Sequence, residues 1–580
     1  MKRAPANSPG EGQSPTQCDV LVAGSGAGAL SAAVTTAFHG LKVIVAEKEP
    51  VLGGTTAWSG GWMWTPRNPL AQRAGIVEDV EAPRTYLRHV LGNNFNESRV
   101  DAFLEAAPHM VAFFAQKTAL QFEDGNRICD TYGNVPGAGT GGRSVIAAPF
   151  DARLIGSLVN RLRLPLPETT FMGMTIQAGS DLSAFMNITR SPRAFAHVAH
   201  RFSRHLLDLA FHRRGMQLRN GLALVGRLLR SATDLNVELR TSSPVIRLIE
   251  DGGRICSVVL GTPEGEIEIR VKRGVVLATG GFPHDPKRRR ELFPADEEHR
   301  TLAVPSATGD GLRLGESVGG RVDTGLASPG AWCPVSIVPY PDGTFGRFPH
   351  IIERGKPGII GVLSNGQRFC NEGNGYHDYV TAMLDVIPQG QEVASWLICT
   401  RAFQRRYGLG IARPTPIPVE PYIQSGYIKT GRTIAELAQK CGIDSRELER
   451  TVAEYNLHAR QGEDPAFGRG STPYNRLQGD AGHSPNPCVA PLDPGPFFAV
   501  KVVPGSFGTF AGLKTDGSAR VLDEAGAPIP GLYAAGTDMA GVMGGHYPAG
   551  GINLGPAMTF GYIAGRHLAG VADYETRSQF

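Results

Sequence analysis

The sequence predicts an α/β protein in which a discontinuous, Rossmann-like domain carries an inserted α+β capping domain. Three observations predict it. A strand, a glycine turn, a helix and a second strand follow one another at the N-terminus; similar apolar strands with glycine turns return near 245–281 and again near 531–538; and 580 residues exceed what one hydrophobic core organises. With 74 glycines, 41% hydrophobic and 19% charged residues, the composition is that of a globular enzyme with many close backbone approaches.

A formal charge of +4 is too small at this length to argue for nucleic acid. The eight cysteines include no C-x-x-C pair, which argues against a zinc site or a dithiol motif; no metal is expected, and a reducing, cytoplasmic setting is. Residues 1–16, "MKRAPANSPGEGQSPT", have no apolar run and are expected to be a flexible arm, not a secretory leader. No segment approaches the roughly 20 apolar residues that span a bilayer.

The first unit is "CDVLVAGSGAGALSAAVTTAFHGLKVIVAEKEP". Val20 to Ala23 form a short buried strand, a helix runs from Ala27 to His39, and "LKVIVAE" is the next strand. Gly24, Gly26 and Ala29 fill the G-x-G-x-x-[G/A] positions, with Ser25, Ala27 and Gly28 between them. The first glycine permits the tight turn, the second lets backbone approach a pyrophosphate, and the small third allows helix–strand packing. Glu47 ends the second strand where an acid hydrogen-bonds a ribose hydroxyl, and Lys48 follows it. A tight turn alone is the rival reading; strand, helix, strand and acid in one unit favour a dinucleotide.

The next stretch, "EPVLGGTTAWSGGWMW", supplies Gly53, Gly54, Thr55, Thr56, Ser59, Gly60 and Gly61 and resembles the extension with which flavoproteins wrap FAD. It is similar to the fumarate reductase and 3-ketosteroid dehydrogenase superfamily. That resemblance implies non-covalent FAD, with Val245 beside the adenine, the turn Ala278, Thr279, Gly280 and Gly281 closing on the cofactor, and Gly536, Thr537 and Asp538 beside the ribityl chain. Asn553 and Leu554, opening the last helix, are expected at the pyrimidine end of the flavin. The expected layout is therefore an FAD-binding domain of residues 17–282 and 492–580 and a substrate domain of 283–491, with the ligand in the crevice between them.

Between 190 and 230 nine arginines accompany a single acid, Asp208, and the apolar residues recur at helical spacing. Such a helix suits weak contact with an anionic membrane surface, making the protein peripheral to it; a solvated face packed on its own domain is the alternative.

The C-terminal stretch "YPAGGINLGPAMTFG" resembles the motif of 3-ketosteroid Δ1-dehydrogenases, and no arginine lies between Asp538 and Tyr562 to grip a carboxylate as fumarate reductases do. The resemblance implies that the Tyr547 hydroxyl and the Gly551 N–H hold a ketone oxygen as enolate charge develops. It places Tyr376, in "RFCNEGNGYHDYV", as the base that takes the α-proton, with Tyr379 as its rival, and Tyr132, in "CDTYGNVPGAGTGGRS", as its helper. Hydride would pass from the β-carbon to flavin N5. The substrate is a hydrophobic cyclic ketone, a 3-ketosteroid first and a cyclohexanone-sized ring second, with an unidentified, artificial or quinone-like electron acceptor. A fumarate- or enone-type reductase and a non-catalytic flavin carrier are the remaining readings.

Overall fold

The computed structural model describes residues 16–571, so the expected N-terminal arm lies, but for Thr16, outside the described residues. Val20 to Ala23 form the buried end of β1 (Thr16–Ala23), the turn after it leads into α1 (Ala27–Phe38), and β2 (Val43–Ala46) returns beside β1 in parallel. Helix α1 is built almost wholly of Ala, Thr, Ser and Val and is buried along ten consecutive residues. Small side chains let it sit between the sheet and the C-terminal helix (Leu554–Ala569), to which the Ser31 hydroxyl donates a hydrogen bond at Met558 O, 2.6 Å.

The larger sheet has a parallel centre in the order Glu238–Arg240, β2, β1, Gly265–Leu277 and Pro528–Ala534. The long strand Gly265–Leu277 pairs antiparallel with Arg254–Thr262 through its first half and parallel with Pro528–Ala534 through its last residues. Register aligns Ala23 with Ala46 and Leu277, Ala46 with Arg240, and Leu277 with Ala534. Five carboxyl ends therefore finish at one level, the edge at which open α/β sheets bind ligands.

The second sheet runs in the order Phe345–Pro349, Gly330–Pro339, Phe497–Thr509, Ser395–Thr400 and Ile359–Val362, with Arg300–Thr301 and Ile428–Gly431 also paired to Phe497–Thr509. The strand Phe497–Thr509 lies beyond the expected boundary at 491/492, yet it is the central strand of this sheet. By hydrogen bonding the second sheet takes in residues 300–509. The helix Tyr376–Val386 packs on Gly330–Pro339 and presents its first turn to the larger sheet's carboxyl edge. Tyr547 and Phe510 belong to the same apolar cluster as β1 and the C-terminal helix, with Tyr376 packed against it, so a single core joins the two sheets at this edge.

Candidate active site

Two clefts meet at the sheet's carboxyl edge. The first is lined by Gly24, Glu47, Lys48, Val245 and Thr279 with Asp310 at its rim. The second is lined by Gly536, Thr537 and Asn553 with Thr509, Phe510 and Met543. The start of α1 bridges them: a Cβ on Gly28 would stand 3.0 Å from Gly536 N.

At the turn after β1 the backbone comes too close for a side chain. Gly24 has φ +104°, and a Cβ on it would meet Ala278 O at 2.2 Å. The surrounding polar groups are tied into a frame. The Ser25 hydroxyl donates to Glu47 Oε2 at 2.5 Å and accepts from Gly53 N–H at 2.9 Å, while Glu47 Oε1 accepts from Glu49 N–H. Burial raises the Glu47 carboxyl, and these hydrogen bonds hold it back. Thr56 accepts from Ala27 N–H at 2.9 Å, Thr55 accepts from Val304 N–H at 3.2 Å, and Lys48 is anchored to Asp310 at 2.7 Å. Asp538 is fully buried and accepts from both Thr279 N–H and Gly281 N–H, at 2.5 and 2.8 Å, so it clamps the turn after Leu277 to the turn after Ala534. Of the glycine extension, Gly53 and Gly54 border this frame, whereas Ser59, Gly60 and Gly61 lie toward Asn220 and Gly221, with the Gly221 N–H donating to Ser59 O. A narrow cradle with backbone at its floor and a buried acid at one end fits a dinucleotide, with Gly24 to Ala29 at its phosphates and Glu47 at a ribose.

The tyrosines gather past the second cleft. Tyr376 opens the helix Tyr376–Val386, and its ring meets that of Tyr547 edge-on at 4.9 Å. Phe507, at 5.3 Å from Tyr376, and Phe510, at 6.1 Å from Tyr547, complete an aromatic wall with His377 behind Tyr547. Burial raises both hydroxyls far above their ordinary value, so both are neutral phenols in the free protein. Each phenol is thereby kept protonated beside the other's ring. Asn553, expected at the flavin, donates from Nδ2 to the Tyr547 oxygen at 3.2 Å.

Gly551 sits four residues on, with φ +96°, where a Cβ would meet Trp62 C and O and Trp64 N, all at 2.8 Å. Its carbonyl accepts from Trp64 N–H at 3.1 Å, but among the described residues no protein acceptor takes its N–H. The loop is held from below by Pro548 O, which accepts from Thr131 N–H at 2.9 Å and from the Tyr86 hydroxyl at 2.6 Å. The Tyr547 hydroxyl proton and the Gly551 N–H are thus two uncommitted donors on one rigid turn, immediately before a helix N-terminus.

Tyr132, expected to help Tyr376, is brought to the same region, and its hydroxyl donates to Asp378 Oδ1 at 2.6 Å. Asp378 lies one residue past His377 in the first turn of the helix Tyr376–Val386. The stretch "GYHDYV" carried that signal, an acid at the third helical position. Tyr379, the rival base, is buried in the second sheet's core with its hydroxyl 2.9 Å from Ser395 Oγ. Phe507 and Phe510 carried no signal beyond a strand-like run. His377 accepts from Trp332 N–H at Nδ1, 3.1 Å, and burial pushes its pKa down to about 3, so it is neutral.

Burial lifts Asp378 to about 6, opposed by the Tyr132 hydroxyl, the Arg354 charge and Gly375 N–H. A folded-state pKa above the unfolded one means that the folded protein binds the extra proton, so stability falls as pH rises from about 4 to about 6 and stays lower above. Asp378→Asn keeps an acceptor for Tyr132 and removes this fall. Its advantage over the parent protein is expected to grow by about 2 kcal/mol between pH ~4 and pH ~7. Thermal unfolding of both proteins at the two pH values checks this; an equal difference at both would remove the ionisation.

The family model described as FAD binding domain matches residues 19–554. The chain is 40% identical over 560 residues to 4-oxocyclohex-2-ene-1-carboxylate 5-dehydrogenase of Sinomonas cyclohexanicum, covering 96% of this chain and 94% of that protein. It is 34% identical to 3-oxosteroid 1-dehydrogenase of Mycobacterium tuberculosis, covering 95% and 98%. Among solved structures it resembles 3-ketosteroid Δ1-dehydrogenase from Sterolibacterium denitrificans in complex with 1,4-androstadiene-3,17-dione, at 33% identity and TM-score 0.89, covering 96% of this chain and all of that one.

Proposed function

This chain belongs to the FAD binding domain family and is an FAD-dependent oxidoreductase acting on CH–CH groups; from that premise we propose that it desaturates the ring bond beside the carbonyl of a six-membered cyclic ketone, a 3-oxosteroid in the first instance. One observation carries the reading: two uncommitted donors, Tyr547 Oη–H and Gly551 N–H, share one turn with Tyr376 in ring contact.

FAD, when bound, supplies the two-electron acceptor for the hydrogen that leaves the β-carbon. The protein's own residues acidify the α-carbon. Tyr547 and Gly551 donate to the ketone oxygen and strengthen as it gains charge. Tyr376 takes the α-proton. Its raised pKa makes a standing phenolate costly, but its own proton can pass to the Tyr547 oxygen while Tyr547 gives its proton to the ketone oxygen. Both tyrosines are then neutral before and after the enol forms, and no buried charge is created. As the enol collapses to the unsaturated ketone its hydroxyl proton passes back to Tyr547 and a proton from Tyr547 to Tyr376, while Tyr376 releases the proton taken from the α-carbon to solvent, so both tyrosines end as neutral phenols.

The likeness to 3-oxosteroid 1-dehydrogenase and to a structure that holds 1,4-androstadiene-3,17-dione supports a fused-ring substrate. The second reading, a monocyclic oxocyclohexene carboxylate, is favoured by the 40% identity to an enzyme named for that substrate. A fumarate-type reductase is disfavoured because no arginine lies between Asp538 and Tyr562. Anaerobic mixing of the loaded enzyme with a graded panel of ketones, from cyclohexanone through 4-oxocyclohexanecarboxylate to androstenedione-like steroids, tests the assignment. Flavin bleaching is expected to be fastest with the steroids; bleaching by the carboxylate alone would select the second reading, and bleaching by none would sink both.

A further inference from the structure

The helix Pro192–His212 is built inside out. A helix that docks on its own domain buries its apolar stripe and turns its charges to water. Here the buried positions are Ala194, Val198, Arg201, His205 and Asp208. Arg201 is paired with buried Asp181, His205 Nε2 meets Met172 O at 2.8 Å, and Asp208 accepts from Arg153 at 2.5 Å and from Met216 N–H at 3.0 Å. The polar groups thus do the docking.

The outward side is apolar. At 3.6 residues per turn Phe195, Ala199, Leu206, Leu207 and Ala210 fall on one face, with Phe211 at its margin. Phe195, Leu207 and Phe211 are 60%, 58% and 78% exposed. Nothing among the described residues covers them. The adjoining hairpin extends the surface: Phe171 packs on Phe202 at 5.8 Å, and next to it Met172 is exposed at its tip.

The margin bearing Phe211 is basic. Arg193, His200 and Arg204 line it, with Arg213 just past the helix, and all four are exposed. The single acid between 190 and 230, Asp208, is buried and already paired. An exposed apolar stripe of this size beside cations, with no exposed carboxylate of its own to repel anions, is complementary to an anionic lipid surface: apolar side chains enter the acyl boundary and the arginines meet headgroup phosphates.

We infer that the outward face of this helix, with Met172, docks the protein on anionic bilayers. No helix among the described residues is long and apolar enough to cross a membrane, so the contact is peripheral.

The test is cosedimentation of the flavin-loaded protein with vesicles of phosphatidylcholine alone and of phosphatidylcholine mixed with phosphatidylglycerol. The parent protein is expected to pellet with the anionic vesicles and to be released by high salt. A Phe195→Ser, Leu207→Ser, Phe211→Ser variant is expected to lose the bound fraction about tenfold or more, with unchanged flavin absorbance and thermal midpoint. Arg193→Glu with Arg204→Glu gives an independent arm, expected to abolish the preference for anionic vesicles. Absence of the parent protein from the anionic pellet, or equal binding by either variant, would overturn the inference. So would a parent dimer that the serine variant turns into a monomer without any change in vesicle binding, since a second copy would then be what covers the face. Turnover of a soluble ketone by the variants, normal in either case, keeps this result separate from the proposed chemistry.

Discussion

Tyr547→Phe is expected to lower kcat for ketone desaturation by about 10²-fold or more, while the purified protein stays yellow. The ring remains to pack against Tyr376 and His377, at 4.9 and 5.7 Å, so the aromatic wall survives. Only the hydroxyl is lost, and with it one of the two uncommitted donors on the turn. Gly551 N–H then holds the ketone oxygen alone, and Asn553 Nδ2 loses its acceptor. Because these interactions strengthen as the oxygen gains charge, the loss should fall on kcat more than on KM. Single-turnover flavin reduction under anaerobic conditions measures it. Near-normal reduction would remove Tyr547 from the chemistry.

Tyr376→Phe is expected to cost about 10²- to 10⁴-fold, the range of a general base, and to abolish exchange of the substrate's α-proton with deuterated solvent. The two variants separate by readout. Loss of Tyr547 should slow exchange and flavin reduction together, since both need the stabilised enol, but leave residual exchange. Loss of Tyr376 leaves no oxygen in place to receive the proton. Proton NMR of a bound or turning-over ketone in D₂O reads the exchange directly. Exchange at the parent rate would move the base elsewhere, and Tyr379 is a poor refuge for it, because its hydroxyl is committed to Ser395 inside the second sheet.

The D₂O experiment also bears on the proton path. If Tyr376 acted as a standing phenolate, activity would climb with pH toward a value that burial has pushed far out of reach. Handing a proton through Tyr547 removes that requirement. The contact between the two tyrosines is therefore as much a part of the proposed site as either residue.

Much of this molecule was legible in the chain because the signals are local. A strand, glycine turn and helix within thirty residues fix their own geometry, since φ at Gly24 and the space beside Ala278 admit no side chain. The motif around Tyr547 and Gly551 was equally readable, a donor hydroxyl and a small residue on one turn. Local patterning also announced the amphipathic helix near 190–212, but not which of its faces would turn outward.

What the chain alone could not decide is what its distant parts do to one another. Asp378 reads as a helix-capping acid, and only folding brings Tyr132, 246 positions earlier, onto it. The strand Phe497–Thr509 reads as part of the C-terminal segment, yet its burial on both sides makes it the centre of the other sheet. Helix Pro192–His212 buries Arg201 and Asp208 because Asp181 and Arg153 pair with them. Sequence by itself determined the elements and the chemistry each motif can offer, because short-range sterics and side-chain type act within a turn or two. Tertiary structure decided the pairings and the exposed face, because desolvation and hydrogen bonding depend on which remote groups share the same dry space.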